Sequence, residues 1–193
     1  MKLDRAALLV IDVQKGFDEP FWGPRNNPDA EKNIGRIVDS FRGSGRAIFH
    51  VLHDSTSELS PLRPGSPGNA PKPEAEPRPD EAVYRKTVNS AFIGTNLEAD
   101  LRNSGIDTLV VVGLTTNHCV STSVRMAGNL GFDTFLVTDA TATFDRRGID
   151  GRTRPAEEVH SAALSDLQDE FATLVDSAQV IAAAELASHE MRG

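Results

Sequence analysis

Thr108-Leu109-Val110-Val111-Val112-Gly113-Leu114-Thr115-Thr116-Asn117-His118-Cys119-Val120 runs from an aliphatic strand through a polar turn into a helical stretch. A strand this uniformly apolar cannot have one wet face, so helices must cover both faces of its sheet. Upstream, residues 6–13 read as a buried strand. Asn27 or Asp29 then starts a helix that ends near Gly43-Ser44-Gly45, and residues 47–52 form a second strand. Thr95-Asn96-Leu97-Glu98 has capping-box spacing and opens a helix to about Gly105. Downstream, residues 120–130 read as a helix, 134–137 as a strand and 156–169 as a helix. Residues 172–175 make a last strand before a terminal helix. Strand and helix in this alternation predict an α/β fold with a parallel sheet between helical layers.

With 193 residues the chain is expected to form one domain spanning residues 1–193, large enough to bury a core. A Pro/Gly-rich segment at 54–81 interrupts the rhythm and is expected to be a lid or a subunit-contact loop, with disorder as the alternative. A single cysteine excludes an internal disulfide framework and a multi-cysteine metal site, and it fits a reducing cytoplasm. No membrane span or signal-peptide core is read, so the expected location is cytoplasmic. A net charge of −8 argues against nucleic acid and leaves a small molecule as the expected substrate.

Ligands of open parallel sheets bind beyond the carboxyl ends of the strands, where Cys119 falls. At a helix start its thiol should feel the dipole and unpaired N–H groups, which lower its pKa. Asp12 ends the first strand in Leu9-Val10-Ile11-Asp12-Val13-Gln14, where a buried carboxylate needs a partner. Lys86 follows the β-like run Ala82-Val83-Tyr84-Arg85. One sheet edge can gather these three residues into a thiol, a proton-accepting carboxylate and a charge that keeps the carboxylate ionised. His118 next to Cys119 is expected to brace the turn rather than form a dyad, and His160 is expected to be structural. Phe17, Trp22, Phe92 and Phe144 are candidate pocket walls, because each closely follows a sheet-edge motif.

At these residues the chain resembles the isochorismatase-like cysteine hydrolases, a superfamily that includes nicotinamidases and N-carbamoylsarcosine amidohydrolases. The matching segments are Leu9–Gln14, Lys86 with Ser90-Ala91-Phe92, Gly113–Val120 and Val137-Thr138-Asp139-Ala140. The resemblance implies a Rossmann-like three-layer α/β/α sandwich around a six-stranded parallel sheet. It makes Cys119 the nucleophile, Asp12 the general base and acid, and Lys86 its electrostatic partner. It also implies a cis Leu114–Thr115 peptide, an oxyanion hole from the N–H groups of Thr115 and Cys119, and a homo-oligomer, dimer or tetramer. The expected reaction is hydrolysis of a small carboxamide, ureido or related C–N compound through a thioester, without a cofactor. The alternatives are vinyl-ether hydrolysis, whose enzymes commonly lack this cysteine, and a non-catalytic or redox-sensing protein. A sensor would lack a second cysteine to resolve a sulfenic acid.

Nicotinamidases carry a metal on an Asp-x-His pair after the second strand. Here Asp54 is followed by Ser55-Thr56, so no metal is expected. His50 and His53 should lie on opposite faces of their strand, with no cysteine near enough to complete a site.

Overall fold

The computed structural model describes residues 1 and 3–190. The chain runs β1 (Ala6–Ile11), α1 (Ala30–Gly43), β2 (Ile48–His53), β3 (Ala82–Lys86), α2 (Leu97–Asn103), β4 (Thr108–Leu114), α3 (Ser121–Asn129) and β5 (Asp133–Ala142). A short antiparallel hairpin, β6 (Arg146–Arg147) with β7 (Thr153–Arg154), leads to α4 (Ala156–Ser165), β8 (Thr173–Val175) and α5 (Ser177–Glu190). Six strands form one parallel sheet in the order β3-β2-β1-β4-β5-β8.

Strand alternation builds a core on each face. Leu8 and Val10 of β1 meet Ile34, Ile37, Val38 and Phe41 of α1 and Val180 of α5. Leu9 and Ile11 face the other way, toward Leu97 and Leu101 of α2 and Val124 and Ala127 of α3. The spacing of Ile34, Ile37, Val38 and Phe41 puts them on one stripe of α1, which is why that helix docks. At about 25 cal/mol per Å² of buried apolar surface, these faces supply the main drive for folding. Among the described residues no helix is long and apolar enough to cross a membrane.

From β1 the chain steps one way across the sheet to β2 and β3, then returns to β4 on the other side of β1. That reversal opens a crevice between the carboxyl ends of β1 and β4, the usual ligand position in such sheets. Gly113 makes the junction possible. Its φ is +130°, it sits at a register shift between β4 and β5, and a Cβ there would collide with the Ile11 carbonyl.

Several local expectations are corrected. Asn96, not Thr95, precedes α2 and makes no side-chain cap, so the capping box does not form; Thr95 Oγ1 instead donates to the Ala91 carbonyl at 2.6 Å. Of the two expected starts for α1, Asp29 holds, with the helix beginning at Ala30, while Asn27 has φ +44° and donates to the Thr138 and Thr141 carbonyls. α4 ends at Ser165 rather than near 169, and β5 extends to Ala142.

The 54–81 segment is tied down along its length. Lys15 N–H donates to the Ala70 carbonyl and Lys72 N–H to the Val13 carbonyl, and Leu62 is buried against Phe17 and Phe144. Gly68 lies so close to Gly16 and the Pro61 carbonyl that a side chain there would not fit.

Candidate active site

Four strand ends line up in space along one sheet edge: Lys86 on β3, His53 on β2, Asp12 just past β1, and the turn after β4. Lys86 pairs in register with His53, and the Asp12 N–H donates to the Val51 carbonyl at 2.8 Å. Asp12 has φ +51°, an uncommon conformation for a non-glycine residue and one that clusters at functional sites. Thr116–Val120 form a π-type turn ahead of α3, after a cis Leu114–Thr115 peptide, and Cys119 sits in that turn. Such turns recur at functional sites.

Asp12 and Lys86 are both fully buried, and Lys86 Nζ donates to Asp12 Oδ2 at 2.7 Å. A carboxylate oxygen of Asp12, a ring nitrogen of His53 and Cys119 Sγ lie within 4.8 Å of one another. Asp12 Oδ1 is buried and has no hydrogen-bond partner among the described residues. Burial raises the Asp12 pKa, and the Lys86 ammonium opposes that rise. The thiol is pushed up to about 12, first by burial and then by the Asp12 charge. This corrects the expectation of a lowered thiol pKa. Loss of solvation and a neighbouring carboxylate outweigh the turn dipole here, so the resting sulfur keeps its proton. Its Sγ lies 3.7 Å from Asn89 Oδ1.

His53 and Asn89 are site residues that sequence reasoning missed. His53 Nδ1 lies 3.3 Å from Lys86 Nζ, and burial together with the Lys86 charge holds its pKa down. Neutral His53 therefore accepts from the ammonium. Gln14, fully buried, braces this edge: its Oε1 accepts from the His53 N–H, and its Nε2 donates to the carbonyls of His53 and Asn69. Asn89 stands in the same short segment as Lys86, the only sequence signal that could have marked it.

A cavity of about 170 Å³ opens onto the thiol, lined by Asp12, His53, Asn89, Thr115, His118, Cys119, Phe17, Trp22, Ser55, Ser60, Leu62 and Arg146. The 54–81 segment thus forms one wall. Phe17 and Trp22 line the cavity. Phe144 stacks behind both, with ring centroids 6.3 and 5.6 Å away. Phe92 is corrected: it stacks on Phe132 at 6.1 Å in the core beside α2 and α3, away from the cavity. His118 lines the cavity and receives Arg146 Nη2 at 3.1 Å. His160 is structural, with Nδ1 2.9 Å from Thr116 Oγ1.

Neither candidate metal position suits an ion. Asp54 Oδ1 already accepts from Arg85 at 2.6 Å and from Asn69 at 3.0 Å. The structure does bring a cysteine near His53, contrary to expectation. Yet the Lys86 ammonium contacts both Asp12 and His53, setting a positive charge against the two ligand atoms a cation would need. His50 faces the other way, its Nε2 2.9 Å from Glu81 Oε2.

A profile of the isochorismatase domain matches residues 6–179. The chain belongs to the isochorismatase family. It is 46% identical over 178 residues to the uncharacterized isochorismatase family protein YrdC of Bacillus subtilis, covering 92% of this chain and 95% of that one. A crystal structure of an isochorismatase-family protein from Chromobacterium violaceum superposes with a TM-score of 0.93 at 45% identity, covering 96% and 97% of the two chains. Nicotinamidase 3 of Arabidopsis thaliana is 32% identical over 185 residues, covering 89% of this chain and 84% of that one. The family is one of hydrolases, and the fold is the α/β architecture of its solved members.

Proposed function

We propose that this protein hydrolyses a C–N bond of a small carboxamide, ureido or related compound, with Cys119 as nucleophile. The observation that carries the reading is the buried, Lys86-held carboxylate of Asp12 beside a protonated thiol at the cavity floor. The 32% identity to a protein named for amide hydrolysis points the same way.

In this mechanism Asp12 accepts the thiol proton as sulfur attacks the carbonyl carbon, so charge separation occurs only with substrate in place. The N–H groups of Thr115 and Cys119 receive the oxyanion. Asp12 returns the proton to the departing nitrogen, the C–N bond breaks, and an acyl thioester remains on Cys119. Water then loses a proton to Asp12 and attacks the thioester, and the proton goes back to the leaving sulfur. Lys86 keeps Asp12 ionised between transfers, and His53 holds Lys86 in place. Vinyl-ether cleavage would need only the Asp12 proton and would leave the thiol idle.

The test is a panel of small amides, ureas and carbamoyl compounds assayed for ammonia release by wild-type protein and Cys119→Ala. Turnover in the wild type alone is expected. A Cys119→Ala protein that retains most of the activity would overturn the mechanism.

A further inference from the structure

Helix α4 hides little of itself. Of its ten residues only Ala156 and His160 are buried, whereas α1 buries six of fourteen. His160 faces the nucleophile turn, its Nδ1 2.9 Å from Thr116 Oγ1. Val159, Ala162 and Ala163, with Asp166 just past the helix end, recur at the i, i+3, i+4, i+7 spacing of a single stripe. Ala162 is exposed and Val159 and Ala163 are half-buried, so this stripe stays in reach of solvent. It lines a groove of about 630 Å³ that shares no lining residue with the catalytic cavity. The opposite wall is α3, which contributes Ser121 and Arg125, with Asn117 from the turn before it.

The groove divides its charges between those walls. Arg125 stands on α3, Glu158 and Asp166 stand on the α4 side, and Arg154 sits at the end of β7. Within the chain these groups are loosely engaged. Arg125 Nη2 is 3.6 Å from Asp166 Oδ2 in an exposed pair, and Glu158 forms no ion pair among the described residues. Arg154 turns to Asp150 at 2.9 Å, also in an exposed pair.

We infer that a second copy of this chain docks on this groove, in a two-fold dimer whose axis runs along it. In such a dimer one patch meets itself, so it must be self-complementary. An axis along the groove sets the α3 wall of each copy on the α4 wall of the other, and Arg125 then faces Glu158 and Asp166 of the other copy. The opposite sign of the two walls is what singles out a second copy, since a partner of one charge would be repelled by one wall. The charges fix the register, and removal of the Val159, Ala162 and Ala163 face from water supplies the drive. The contact is independent of the chemistry at Cys119, although Asn117 and Ser121 bring it up to the nucleophile turn.

Light scattering of the whole protein at micromolar concentration tests this. The wild type should weigh twice the 20.8 kDa of one chain, or a multiple of that. Ala162→Arg, at an exposed position, should halve the mass and leave the circular dichroism unchanged. Two charge variants follow, one carrying Arg125→Glu and the other Glu158→Arg with Asp166→Arg. Each alone should dissociate about tenfold or more readily than wild type, because like charges then face across both walls. Mixed in equal amounts they should pair with one another, since every contact again joins opposite charges, and a mass tag on one of them reports the mixed dimer. A disturbed fold would explain weak association of each variant alone but not their pairing on mixing. A wild type of monomer mass, an undiminished mass in a folded Ala162→Arg, or folded charge variants that do not pair when mixed would overturn the inference.

Discussion

Lys86 Nζ and Asp12 Oδ2 meet at 2.7 Å in a pocket where both side chains are wholly shielded from solvent. Two charges buried together stabilise little on balance, because desolvation offsets most of their attraction. Their placement beside a thiol is better explained by chemistry: the pair gives Cys119 a proton acceptor of raised pKa at the end of β1.

The first prediction separates proton transfer from thiol ionisation. The Asp12 charge raises the Cys119 pKa, whereas the Lys86 charge lowers it. Asp12→Asn removes the first and keeps the second. The pH midpoint for iodoacetamide alkylation should move down from about 12, so labelling at neutral pH becomes faster. Turnover should nonetheless fall by about 10²–10⁴-fold, since the general base is gone. An alkylation profile unchanged from wild type would contradict the coupling.

Removing the other partner tests burial. Lys86→Met leaves Asp12 buried without its cation, which should destabilise the fold by about 3–5 kcal/mol. The Asp12 pKa, already raised in the folded protein, should rise further. A carboxyl with a raised folded pKa binds more protons folded than unfolded, so stability is lost as pH rises from the ordinary value of 3.8 through the folded pKa. Urea titrations should therefore find the variant more stable at pH 5 than at pH 8. A variant equally stable at both would count against the pairing.

Glu81 carries a third prediction, on the opposite face of β2. Hydrogen bonds from Arg42 at 2.7 and 2.9 Å hold its pKa down to about 2, and His50 adds to the effect. A depressed carboxyl contributes stability above its ordinary value of 4.5 that is lost as pH falls toward about 2. Glu81→Gln should lower stability at neutral pH by about 1–3 kcal/mol. It should also flatten the decline between about 4.5 and 2. Parallel acid-unfolding curves for variant and wild type would argue otherwise.

How far the sequence reveals this site depends on whether a residue's role is local. The β4 strand and its turn were legible because the aliphatic run and the polar break adjoin, and Asp12 stood out inside an apolar strand. His53 did not, because only the β2–β3 register brings it to Lys86. Arg146 reaches the cavity through a hairpin whose return no periodicity marks. Phe92 misled because its neighbour Ala91 is fixed through the Ser123 hydroxyl, which turns the segment into the core beside Phe132. The thiol pKa was misjudged because a sequence reports position at a helix start but not the depth of burial around it.

Metal independence gives a fourth prediction. With Asp54 held by Arg85 and Asn69, and Lys86 set between Asp12 and His53, turnover of an amide should survive dialysis against a chelator. Activity lost on chelation and restored by zinc or iron would refute this.

In the proposed mechanism Cys119 becomes acylated. Intact-mass spectrometry of wild-type protein, acid-quenched within the first turnovers of an amide from the panel, measures this directly. A transient mass increase equal to the acyl group is expected, mapped by peptide sequencing to Cys119 and absent in Cys119→Ala. Steady ammonia release with no adduct at any quench time, in a protein whose Cys119→Ala variant still turns over, would contradict it.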